Sequence, residues 1–529
     1  MTRSRPTTSL WMGTSASPDF RPLDDDVYCD VAIIGAGIAG MSTAYMMAKR
    51  GAHVVLIDDG EIAGGETIRT TAQISSLLDL RYHELERIHG LDRTRKIAAS
   101  QYAAINMIES IVRAEKIQCD FKRVDGYLFL GRNVQREELE KELEAMHRAG
   151  ISDATLLEYT PMTCRQLPSI RVSRQAQFHV TKYISGLAQA ISRMGGRIYC
   201  HTHITEIVDG HPAKLVTDTN HRVQAREVVV ATNSPVSNIV AIHTKMAAYR
   251  SYVIAAEIER DAIPQALFWD TEDPYHYIRT FVMGDKEYVL VGGGDHKTGQ
   301  ISDYEARYQE LEAWAREMLP IMGQVKYRWS GQIYEPVDGL AYIGRDPNHA
   351  PNINVATGFS GVGMTQGTLA GKIISDLILR SPNEWVELYD PTRKSLIKTA
   401  DYLAENLNSA AQYVDYLKGG EVSSAADIPL GEGAVLVHDG HKLAVYRDEQ
   451  GRVFQCSAIC PHLKGIVTWN SSEKSWDCPA HGSRFNAVGT VIDGPANANL
   501  ESTQFNLDAE EEERRSTGSL IQLLPPEAC

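Results

Sequence analysis

The 529-residue sequence predicts an α/β domain with an inserted antiparallel sheet, followed by a small all-β domain. Residues 31–58 follow the order strand, glycine loop, helix and strand, which is the pattern of a parallel βαβ unit. Residues 245–335 contain alternating and aromatic-rich runs, which favour antiparallel strands. From residue 428 onward, short strand-like runs alternate with turns, as in an all-β domain.

The βαβ stretch has the features of a dinucleotide-binding unit. An apolar strand at residues 31–34 leads into G-x-G-x-x-G, formed by Gly35, Gly37 and Gly40. The first glycine permits a tight turn, the second lets the backbone approach a pyrophosphate, and the third lets the helix pack on the strand. Asp58 follows the second strand, where an acid binds a ribose hydroxyl. The predicted binding residues are Gly35, Ala36, Gly37, Ile38, Ala39, Gly40 and Asp58.

The segments that follow have the periodicity of helices and buried strands. Apolar residues at helical spacing predict one long helix over residues 92–117, and a charged helix is predicted over 135–149. A strand at 354–357, a glycine loop at 358–363 and a helix at 364–379 come later. The expected domains are an N-terminal tail at 1–26, the α/β domain at 27–395 with its substrate-side sheet mainly at 245–335, a linker at 396–425, the all-β domain at 426–508 and a charged tail at 509–529.

Composition and charge argue against several classes of function. The formal net charge is −15 and no basic stripe is present, so no nucleic-acid partner is expected. No run of 18 apolar residues occurs, so we predict no membrane-spanning helix. The first 20 residues lack the apolar core of a secretory signal, and the cysteines are few. These features predict a cytoplasmic protein.

Four motifs occur in a fixed order along the chain. They are the βαβ unit ending in Asp58, AGGETIRTTA at 63–72, EVVVATN at 227–233, and DGLAYIG with NVATGFSGVGMTQG at 338–367. Together they resemble the D-amino-acid-oxidase-like FAD oxidoreductases, which include glycine oxidase and gamma-glutamylputrescine oxidase. The resemblance covers about residues 27–395 and implies a Rossmann-like FAD-binding domain. It also implies FAD contacts at Thr70 and Thr71 near the flavin ring, at Ile204 near the adenine, and at Gly358, Gly361, Gly363 and Met364 where a second helix faces the flavin.

The glycine loop at 358–363 allows two interpretations. Gly361 and Gly363 before a helix could form a second dinucleotide site, for NAD(P)H. We prefer a second contact on the same FAD, because no acid follows a further strand at the required distance and too little chain remains for another βαβ unit. The flavin is then reduced by a small organic molecule rather than by a nicotinamide.

One position departs from the family pattern. Amino-acid-oxidising members carry an arginine just before the D-G-x-x-x-I-G run, where it binds the substrate carboxylate, and Ile333 stands there in this chain. A buried carboxylate needs a charged partner, so the departure favours an amine substrate. Tyr277 and Arg279 could replace the arginine, although a structural pair on a strand is the simpler interpretation. No catalytic base is evident among the candidate histidines, which are His179, His203, His276 and His296.

The C-terminal cysteines and histidines have the spacing of metal ligands. Cys460 and His462 form C-x-H, and Cys478 and His481 form C-x-x-H after a gap of 15 residues. Two cysteines and two histidines could hold tetrahedral zinc. The second loop, CPAHGSRFNAVGTVIDGPA, nevertheless closely resembles a Rieske domain over about residues 426–508. This resemblance implies a [2Fe-2S] cluster with the cysteines on one iron and the histidines on the other.

The Rieske resemblance also distinguishes between two types of Rieske domain. Rieske proteins of the cytochrome bc type carry a cysteine pair that joins the two ligand loops, and Gly465 and Ala480 occupy those positions here. Ser483, whose hydroxyl could bond a sulfur, is present, whereas Phe485 replaces a tyrosine. The resemblance therefore implies a domain closer to the ferredoxin-like Rieske proteins, with fewer hydrogen bonds to raise its potential. Cys456 is not expected to be a ligand.

The two halves together predict a dehydrogenase. A small-molecule substrate, an amine or amino-acid derivative, would reduce FAD through a C–H bond beside its nitrogen, and the cluster would pass the electrons singly to an external acceptor. Two alternatives stay open: an external donor that reduces the cluster and so feeds the flavin, and a redox sensor with an idle flavin domain. A roomy, polar pocket at the flavin would favour the enzyme over the sensor.

Overall fold

The computed structural model describes residues 7–162, 167–236, 242, 244–393, 419–503 and 505. The chain divides into two compact units, one within residues 7–407 and the other within residues 408–529. Most of the predicted linker at 396–425 and all of the predicted charged tail at 509–529 lie outside the described residues.

The helices predicted over 92–117, 135–149 and 364–379 are present, and each begins and ends within a few residues of the predicted bounds. The α-helices of the described residues are α1 (Leu10–Thr14), α2 (Ile38–Lys49), α3 (Tyr82–His89), α4 (Leu91–Glu115), α5 (Arg136–Arg148), α6 (Val180–Arg193), α7 (Tyr304–Met318), α8 (Gly363–Ile378) and α9 (Val386–Tyr389). Helix α4 corresponds to the long helix predicted over 92–117, and its apolar residues at helical spacing are buried. Among these helices, none has the apolar length needed to cross a bilayer.

The strands form two sheets in the first unit and two in the second. The strands of the first unit are β1 (Val27–Ile34), β2 (Val54–Ile57), β3 (Gln73–Ile74), β4 (Lys122–Phe129), β5 (Thr155–Leu157), β6 (Ser169–Gln177), β7 (Arg197–Tyr199), β8 (Ile204–Val208), β9 (Ala213–Thr217), β10 (Arg222–Val230), β11 (Met246–Ile258), β12 (Leu267–Asp270), β13 (Tyr277–Met283), β14 (Lys286–Lys297), β15 (Val325–Pro336), β16 (Tyr342–Arg345) and β17 (Ile353–Thr357). Those of the second unit are β18 (Glu432–His438), β19 (His441–Arg447), β20 (Val453–Ser457), β21 (Thr468–Asn470), β22 (Ser475–Asp477), β23 (Arg484–Asn486) and β24 (Val491–Asp493).

The first sheet has eight strands around a parallel core. Strands β17, β10, β1, β2 and β7 run parallel in that order, and β16 pairs antiparallel with β17 at one edge. The second half of β1 and all of β2 are buried, which explains their uninterrupted apolar runs. Because the carboxyl ends of parallel strands lie at one edge, the loops after β1, β2 and β17 meet there.

The second sheet has nine strands and confirms the predicted antiparallel insert. Its order is β15, β11, β14, β13, β12, β4, β6 and β3, and β5 pairs with β6. Strands β11 to β15 come from the predicted region at 245–335, but β3 to β6 come from residues 73–177. The sheet is therefore larger than predicted, because β12 pairs with the distant strand β4 rather than ending the sheet.

The N-terminal segment differs from the extended tail predicted over residues 1–26. Helix α1 is capped by Ser9, whose Oγ accepts a hydrogen bond from the N–H of Met12 at 3.3 Å. Leu10 and Trp11 have no exposed surface and belong to the core of the first unit. One tryptophan in a polar stretch is too short a pattern for periodicity analysis, so contacts with distant residues decide its structure.

The second unit contains two small antiparallel sheets, which confirms the predicted all-β domain. Strands β18 to β20 form one sheet and β21 to β24 the other. Trp476 and Phe485 are completely buried in the core that they share with Cys460 and Cys478. The two cysteines of the predicted metal site therefore belong to the buried core of this unit.

Candidate functional site

The predicted dinucleotide loop joins β1 to α2, and two of its glycines leave no room for a side chain. Gly35 has a φ of +101°, and a Cβ there would lie 2.5 Å from the carbonyl oxygen of Ala231. A Cβ at Gly40 would lie 1.9 Å from the carbonyl oxygen of Gly35. The first glycine is thus required by the turn and the third by close packing of the helix.

Asp58 and Thr67 hold the backbone of this loop. The Asp58 carboxylate accepts hydrogen bonds from the N–H groups of Ala36 at 2.6 Å and Gly60 at 2.8 Å. Thr67 Oγ1 accepts a hydrogen bond from the N–H of Ile38, the first residue of α2, at 3.0 Å. An acid at the end of β2 and a helix N-terminus therefore lie together, which fits the ribose and phosphates of a dinucleotide.

Ile204, predicted near the adenine, begins strand β8 beside this acid. The N–H of Thr202 donates to the carbonyl oxygen of Asp58 at 2.9 Å. Nδ1 of His203 lies 3.5 Å from the carboxylate of Asp59. The backbone that leads into Ile204 is therefore anchored next to the residue expected to bind the ribose.

The start of α8 borders the same cavity as the start of α2. Gly363 and Met364 line this cavity together with Ile38. The two helices approach closely because α8 carries small residues at the contact: a Cβ at Gly371 would lie 2.8 Å from the carbonyl carbon of Ser42. One cavity bordered by both helix starts fits a single FAD rather than a second site for NAD(P)H.

The loop before α8 is shaped by two glycines and an acid. Gly358 has a φ of +73°, and a Cβ there would lie 2.8 Å from the ring of Pro336. The N–H of Gly361 donates to the Asp79 carboxylate at 2.5 Å, and a Cβ at Gly361 would lie 2.7 Å from the hydroxyl of Tyr275. The contacts with Asp79 and Tyr275 thus hold the loop predicted to face the flavin against the wall of the cavity.

Thr70 and Thr71 also line this cavity. The indole N–H of Trp11 donates to the carbonyl oxygen of Thr70 at 2.6 Å, and Nη1 of Arg279 donates to that of Thr71 at 2.8 Å. Arg279 is completely buried and is not among the cavity-lining residues, so its geometry indicates a structural role rather than a carboxylate clamp. Tyr277, the other candidate, does line the cavity.

The cavity continues from the FAD-binding residues onto the antiparallel sheet. Including its opening, it encloses about 1210 Å³. Its polar side chains on the sheet side include those of Asp79, Ser251, Tyr275, Tyr277 and Asp295. The Tyr275 hydroxyl donates to Asp79 at 2.8 Å, and the hydroxyls of Ser251 and Tyr277 are hydrogen-bonded at 2.9 Å. Two carboxyl groups and two phenols therefore lie beside the expected flavin ring.

Burial raises the pKa of both carboxyl groups. Desolvation raises the pKa of Asp295 to about 7; the hydrogen bond from Ser251 opposes this rise, and the charges of Asp79 and Asp273 add to it. Desolvation also raises the pKa of Asp79, despite its two hydrogen bonds. A cavity carboxyl that titrates near neutrality is a candidate acid or base.

A β-bulge brings Asp295 to the wall of the cavity. Strands β11 and β14 pair antiparallel, but Gly294 and Asp295 together lie opposite the single residue Ser251. A bulge of this kind re-aims a side chain. Gly292 allows Tyr277 to pack over the strand, since a Cβ there would lie 2.1 Å from the tyrosine ring. Glycine inside a strand marks a bulge or the close approach of another residue. The G-G-G-D run is therefore the feature of the sequence that could have predicted Asp295 at the cavity wall.

The four histidines considered as bases do not line the cavity in the described part of the chain. Nε2 of His179 lies 3.0 Å from Oγ1 of Thr14, and burial lowers the pKa of His179 to about 4. Nδ1 of His276 lies 2.8 Å from the Asp270 carboxylate, and its ring stacks on Trp314. These contacts indicate structural roles.

The four predicted metal ligands lie on two loops of the second unit with the same backbone geometry. The N–H groups of Cys460 and Cys478 each donate to the carbonyl oxygen five residues later, at 2.8 Å. The residue four positions after each cysteine donates back to the cysteine carbonyl and has a positive φ, +64° at Lys464 and +82° at Gly482. The second unit therefore presents two equivalent ligand loops.

The side chains on these loops fit a metal cluster. Cys460 and Cys478 are buried, and the ring centroids of His462 and His481 lie 5.2 Å apart. Burial lowers the pKa of both histidines to about 4, which keeps the rings neutral and able to bind iron. Nδ1 of His481 is buried without a hydrogen-bond partner among the described residues. A hydrogen bond with the Cys478 thiol lowers the pKa of Cys460 to about 7.

The surroundings of the loops match the positions that the Rieske resemblance implies. A Cβ at Gly465 would lie 3.1 Å from the Cβ of Ala480, so the positions of the missing cysteine pair are adjacent. The Ser483 hydroxyl hydrogen-bonds the Cys460 side chain. Cys456 lies in β20, outside both loops, and its thiol faces a backbone carbonyl at 3.8 Å.

Family models match both parts of the chain. Residues 30–377 match the family described as DAO: FAD dependent oxidoreductase. Residues 420–504 match the Rieske [2Fe-2S] domain. These matches, together with the two sites above, assign FAD to the first unit and a [2Fe-2S] cluster to the second.

One similar protein matches nearly the whole chain, and others match about 70% of it. The chain is 32% identical over 505 residues to a Bacillus subtilis (strain 168) protein named as the Rieske 2Fe-2S iron-sulfur protein YhfW, covering 94% of this chain and 98% of that one. It is 26% identical over 389 residues to gamma-glutamylputrescine oxidoreductase of Escherichia coli (strain K12), covering 70% and 89%. The crystal structure of glycine oxidase from Geobacillus kaustophilus has the same fold, with a TM-score of 0.58, 18% identity, and 70% and 99% coverage.

The Rieske part alone resembles an iron-sulfur subunit of another protein complex. It is 38% identical over 84 residues to the cytochrome b6-f complex iron-sulfur subunit of Microcystis aeruginosa (strain NIES-843 / IAM M-2473), which covers 16% of this chain and 46% of that subunit. This likeness and the absent cysteine pair point to different types of Rieske domain, so the ferredoxin-like type stays a prediction. Since the DAO model covers most of the chain, the chain belongs to the DAO family of FAD dependent oxidoreductases and carries a C-terminal Rieske [2Fe-2S] domain.

Proposed function

We propose that this oxidoreductase is a dehydrogenase that oxidises a small organic amine or amino-acid derivative and passes the electrons from FAD through its cluster to an external acceptor. One observation carries the proposal: the same chain contains a Rieske [2Fe-2S] domain and a cavity with polar groups beside the expected position of the flavin ring. A flavin fold alone would also suit an oxidase. The cluster adds a route for single electrons.

The two cofactors have complementary electron chemistry. Bound FAD supplies a two-electron acceptor for hydride, and a Rieske cluster carries one electron at a time. Joining both in one chain raises the effective concentration of the cluster near the flavin. An external one-electron acceptor then completes turnover.

In this proposal, the residues of the chain bind FAD and orient its flavin ring. The glycine loop and Asp58 hold the nucleotide, and Thr70, Thr71 and Met364 border the flavin ring. The Trp11 indole fixes the backbone at Thr70. The antiparallel sheet covers the substrate side of the cavity and so keeps bulk water away from the reacting C–H bond.

Two residues support an amine as the substrate. Ile333 lines the cavity and offers no charge to a substrate carboxylate. Arg279 donates to backbone carbonyl groups instead. The names of similar proteins, gamma-glutamylputrescine oxidoreductase and glycine oxidase, also refer to compounds with an amine nitrogen.

A variant without the cluster tests the proposal. Cys478→Ser removes a cluster ligand within the second unit, so FAD should remain bound to the first. An amine that bleaches the flavin, taken from a panel that includes isobutylamine and putrescine, should still do so anaerobically. Turnover with cytochrome c should fall by about tenfold or more, because the reduced flavin then lacks its tethered one-electron partner.

Cys456→Ser is the matched control for this variant. Cys456 is a buried cysteine of the same unit, but it lies outside the ligand loops. This control should keep its cluster and its turnover with cytochrome c. Normal turnover by the Cys478→Ser protein would contradict the proposal and favour a sensing role for the Rieske domain.

The redox-sensor hypothesis predicts a blocked pocket at the flavin. The cavity instead has room beside the flavin-ring residues and several polar groups, which supports an enzyme over a sensor. The reverse direction of electron flow is distinguished by a simple measurement. Anaerobic substrate should reduce the cluster, read by electron paramagnetic resonance, without any other reductant.

A further inference from the structure

We propose that the cavity binds its substrate as a cationic amine through the carboxyl pair Asp79 and Asp295, and that Asp295 accepts the proton that the substrate nitrogen must lose before oxidation. The inference rests on the proposed function. It narrows the substrate to amines without an α-carboxylate group.

The backbone places Asp295 at the cavity wall. It belongs to the bulge in β14, where Gly294 and Asp295 lie opposite Ser251. Both Ser251 and Asp295 line the cavity, as does Tyr277. The Ser251 hydroxyl hydrogen-bonds the Tyr277 hydroxyl at 2.9 Å and is near enough to Asp295 to lower the pKa of its carboxyl group.

One oxygen of Asp295 is available to a ligand. Oδ1 is buried and has no hydrogen-bond partner among the described residues. A buried carboxylate oxygen without a donor is unfavourable, because it has lost water and gained nothing in exchange. An ammonium group in the cavity would supply the missing donor and a compensating charge.

Asp79 adds a second acid to the same cavity. Its carboxylate accepts hydrogen bonds from the Tyr275 hydroxyl at 2.8 Å and the Gly361 N–H at 2.5 Å, and such bonds favour the charged form. Asp79 also acts electrostatically on Asp295, so the two carboxyl groups are close enough to repel each other. A cation between them would relieve that repulsion.

The other charged groups of the cavity balance this pair only in part, because the charge of Arg81 lowers the pKa of Asp79. Asp273, which also acts on Asp295, is exposed to solvent. Arg81 is the one nearby guanidinium among the described lining residues of this wall, and its Nη2 already donates to a backbone carbonyl at 2.8 Å. Glu66 and Arg69, at the FAD end, have opposite charges. The two phenols stay neutral because burial raises the pKa of each.

The proposed step balances in atoms and electrons. The substrate ammonium transfers one proton to the Asp295 carboxylate, which leaves a neutral amine with a free lone pair. FAD, when bound, would supply the two-electron acceptor, so that the hydrogen of the neighbouring C–H bond would leave as a hydride with both electrons of the bond. The nitrogen lone pair forms the C=N bond at the same time. The substrate is thereby oxidised by two electrons to an iminium ion, and the flavin is reduced by two.

The test compares two probes of the same shape and opposite charge. tert-Butylammonium and trimethylacetate both lack an oxidisable C–H bond beside the charged group, so they report binding without electron transfer. Binding to the holoprotein is measured by calorimetry and by the shift in flavin absorption. We expect the cation to bind and the anion not to bind. Cation binding should strengthen as the pH rises from about 6 to about 8, because Asp295 has a pKa of about 7.

Matched variants assign the binding to this carboxyl group. Asp295→Asn keeps the shape of the side chain and should weaken binding of the cation by about tenfold or more, because a hydrogen bond to a charged group is lost. Asp273→Asn removes an exposed charge nearby and should leave the affinity nearly unchanged. The comparison of cation and anion in the unmodified protein needs no variant, so it holds even if a variant folds poorly.

Three outcomes would overturn the inference. Preferential binding of trimethylacetate would identify Arg81 as a carboxylate partner instead. Cation binding that Asp295→Asn leaves unchanged would exclude Asp295, and no cation binding in the millimolar range would exclude the acidic pair. Reduction of the cluster by an oxidisable amine is read separately, so the inference and the proposed function can fail independently.

Discussion

Arg279 and Asp295 are two ionisable side chains of neighbouring strands that the structure gives different roles. Arg279 donates to the carbonyl groups of Thr71 and Ala72, and its guanidinium carbon lies 5.4 Å from the centroid of the Trp11 ring. The guanidinium thus holds the backbone of Thr71 and Ala72, next to the expected position of the flavin ring. Asp295 faces a cavity, and its buried Oδ1 has no hydrogen-bond partner within the described part of the chain. A buried charge that is held by the backbone is structural, whereas one that faces a cavity is available for chemistry.

The raised pKa of Asp295 should make stability depend on pH. The folded-state pKa of about 7 lies above the ordinary value of 3.8, so the folded protein binds the extra proton between these values. This contribution to stability is present below pH 3.8 and is lost as the pH rises through about 7. We expect Asp295→Asn to raise the free energy of unfolding on the order of 1–3 kcal/mol near pH 8 and to have little effect near pH 4.

Thermal unfolding measures this effect. The transition of interest is the one that releases FAD, followed by flavin fluorescence at both pH values. Asp273→Asn serves as the control, since that side chain is exposed. Equal stabilisation by Asp295→Asn at both pH values would show that the carboxyl group does not titrate as the geometry indicates.

Among helices and strands, the contact between α2 and α8 decides the shape of the FAD site. Gly367 and Gly371 of α8 are one turn apart and lie against Ile38 and Ser42 of α2. A side chain at either glycine would push the helices apart, because the nearest atoms include backbone. Gly367 and Gly371 therefore set the positions of the two helix starts, although neither glycine lines the cavity.

We expect Gly371→Ala to weaken FAD binding. A Cβ there would lie 2.8 Å from the Ser42 backbone, and relief of that clash should cost on the order of 1–3 kcal/mol. FAD affinity is measured by titrating the apoprotein and following flavin fluorescence. Gly65→Ala is the control, because a Cβ at Gly65 meets nothing within 4 Å. Unchanged affinity in the Gly371→Ala protein would contradict the role of this contact.

For the molecule as a whole, the two units predict a definite cofactor content. The purified protein should contain FAD in about equimolar amount, with about two irons and two acid-labile sulfides per chain. NADH should not bleach the flavin anaerobically, because both helix starts border one cavity and the chain has one βαβ fingerprint. Chemical analysis and absorption spectra measure both. Stoichiometric zinc, or rapid bleaching by NADH without substrate, would contradict this prediction.

Local sequence was sufficient for the cofactors and the fold class, and it predicts the metal ligands. The glycine loop with Asp58 occupies fewer than 30 consecutive residues, and Cys460, His462, Cys478 and His481 lie within 22. Turn geometry and ligand spacing are set by neighbouring residues, so both can be recognised from the sequence alone. The long helix α4 was predictable for the same reason, because its periodicity extends over many turns.

Tertiary structure alone decided the cavity wall, the buried N-terminal segment and the extent of the second sheet. Asp79, Ser251 and Asp295 lie up to 216 residues apart in the sequence and meet only through strand pairing and the bulge in β14. Trp11 is fixed by a hydrogen bond to a residue 59 positions away. Such contacts arise from the sum of many weak, distant interactions, and no short stretch of sequence contains them. The residues proposed to bind the substrate are therefore the ones that the sequence alone did not predict.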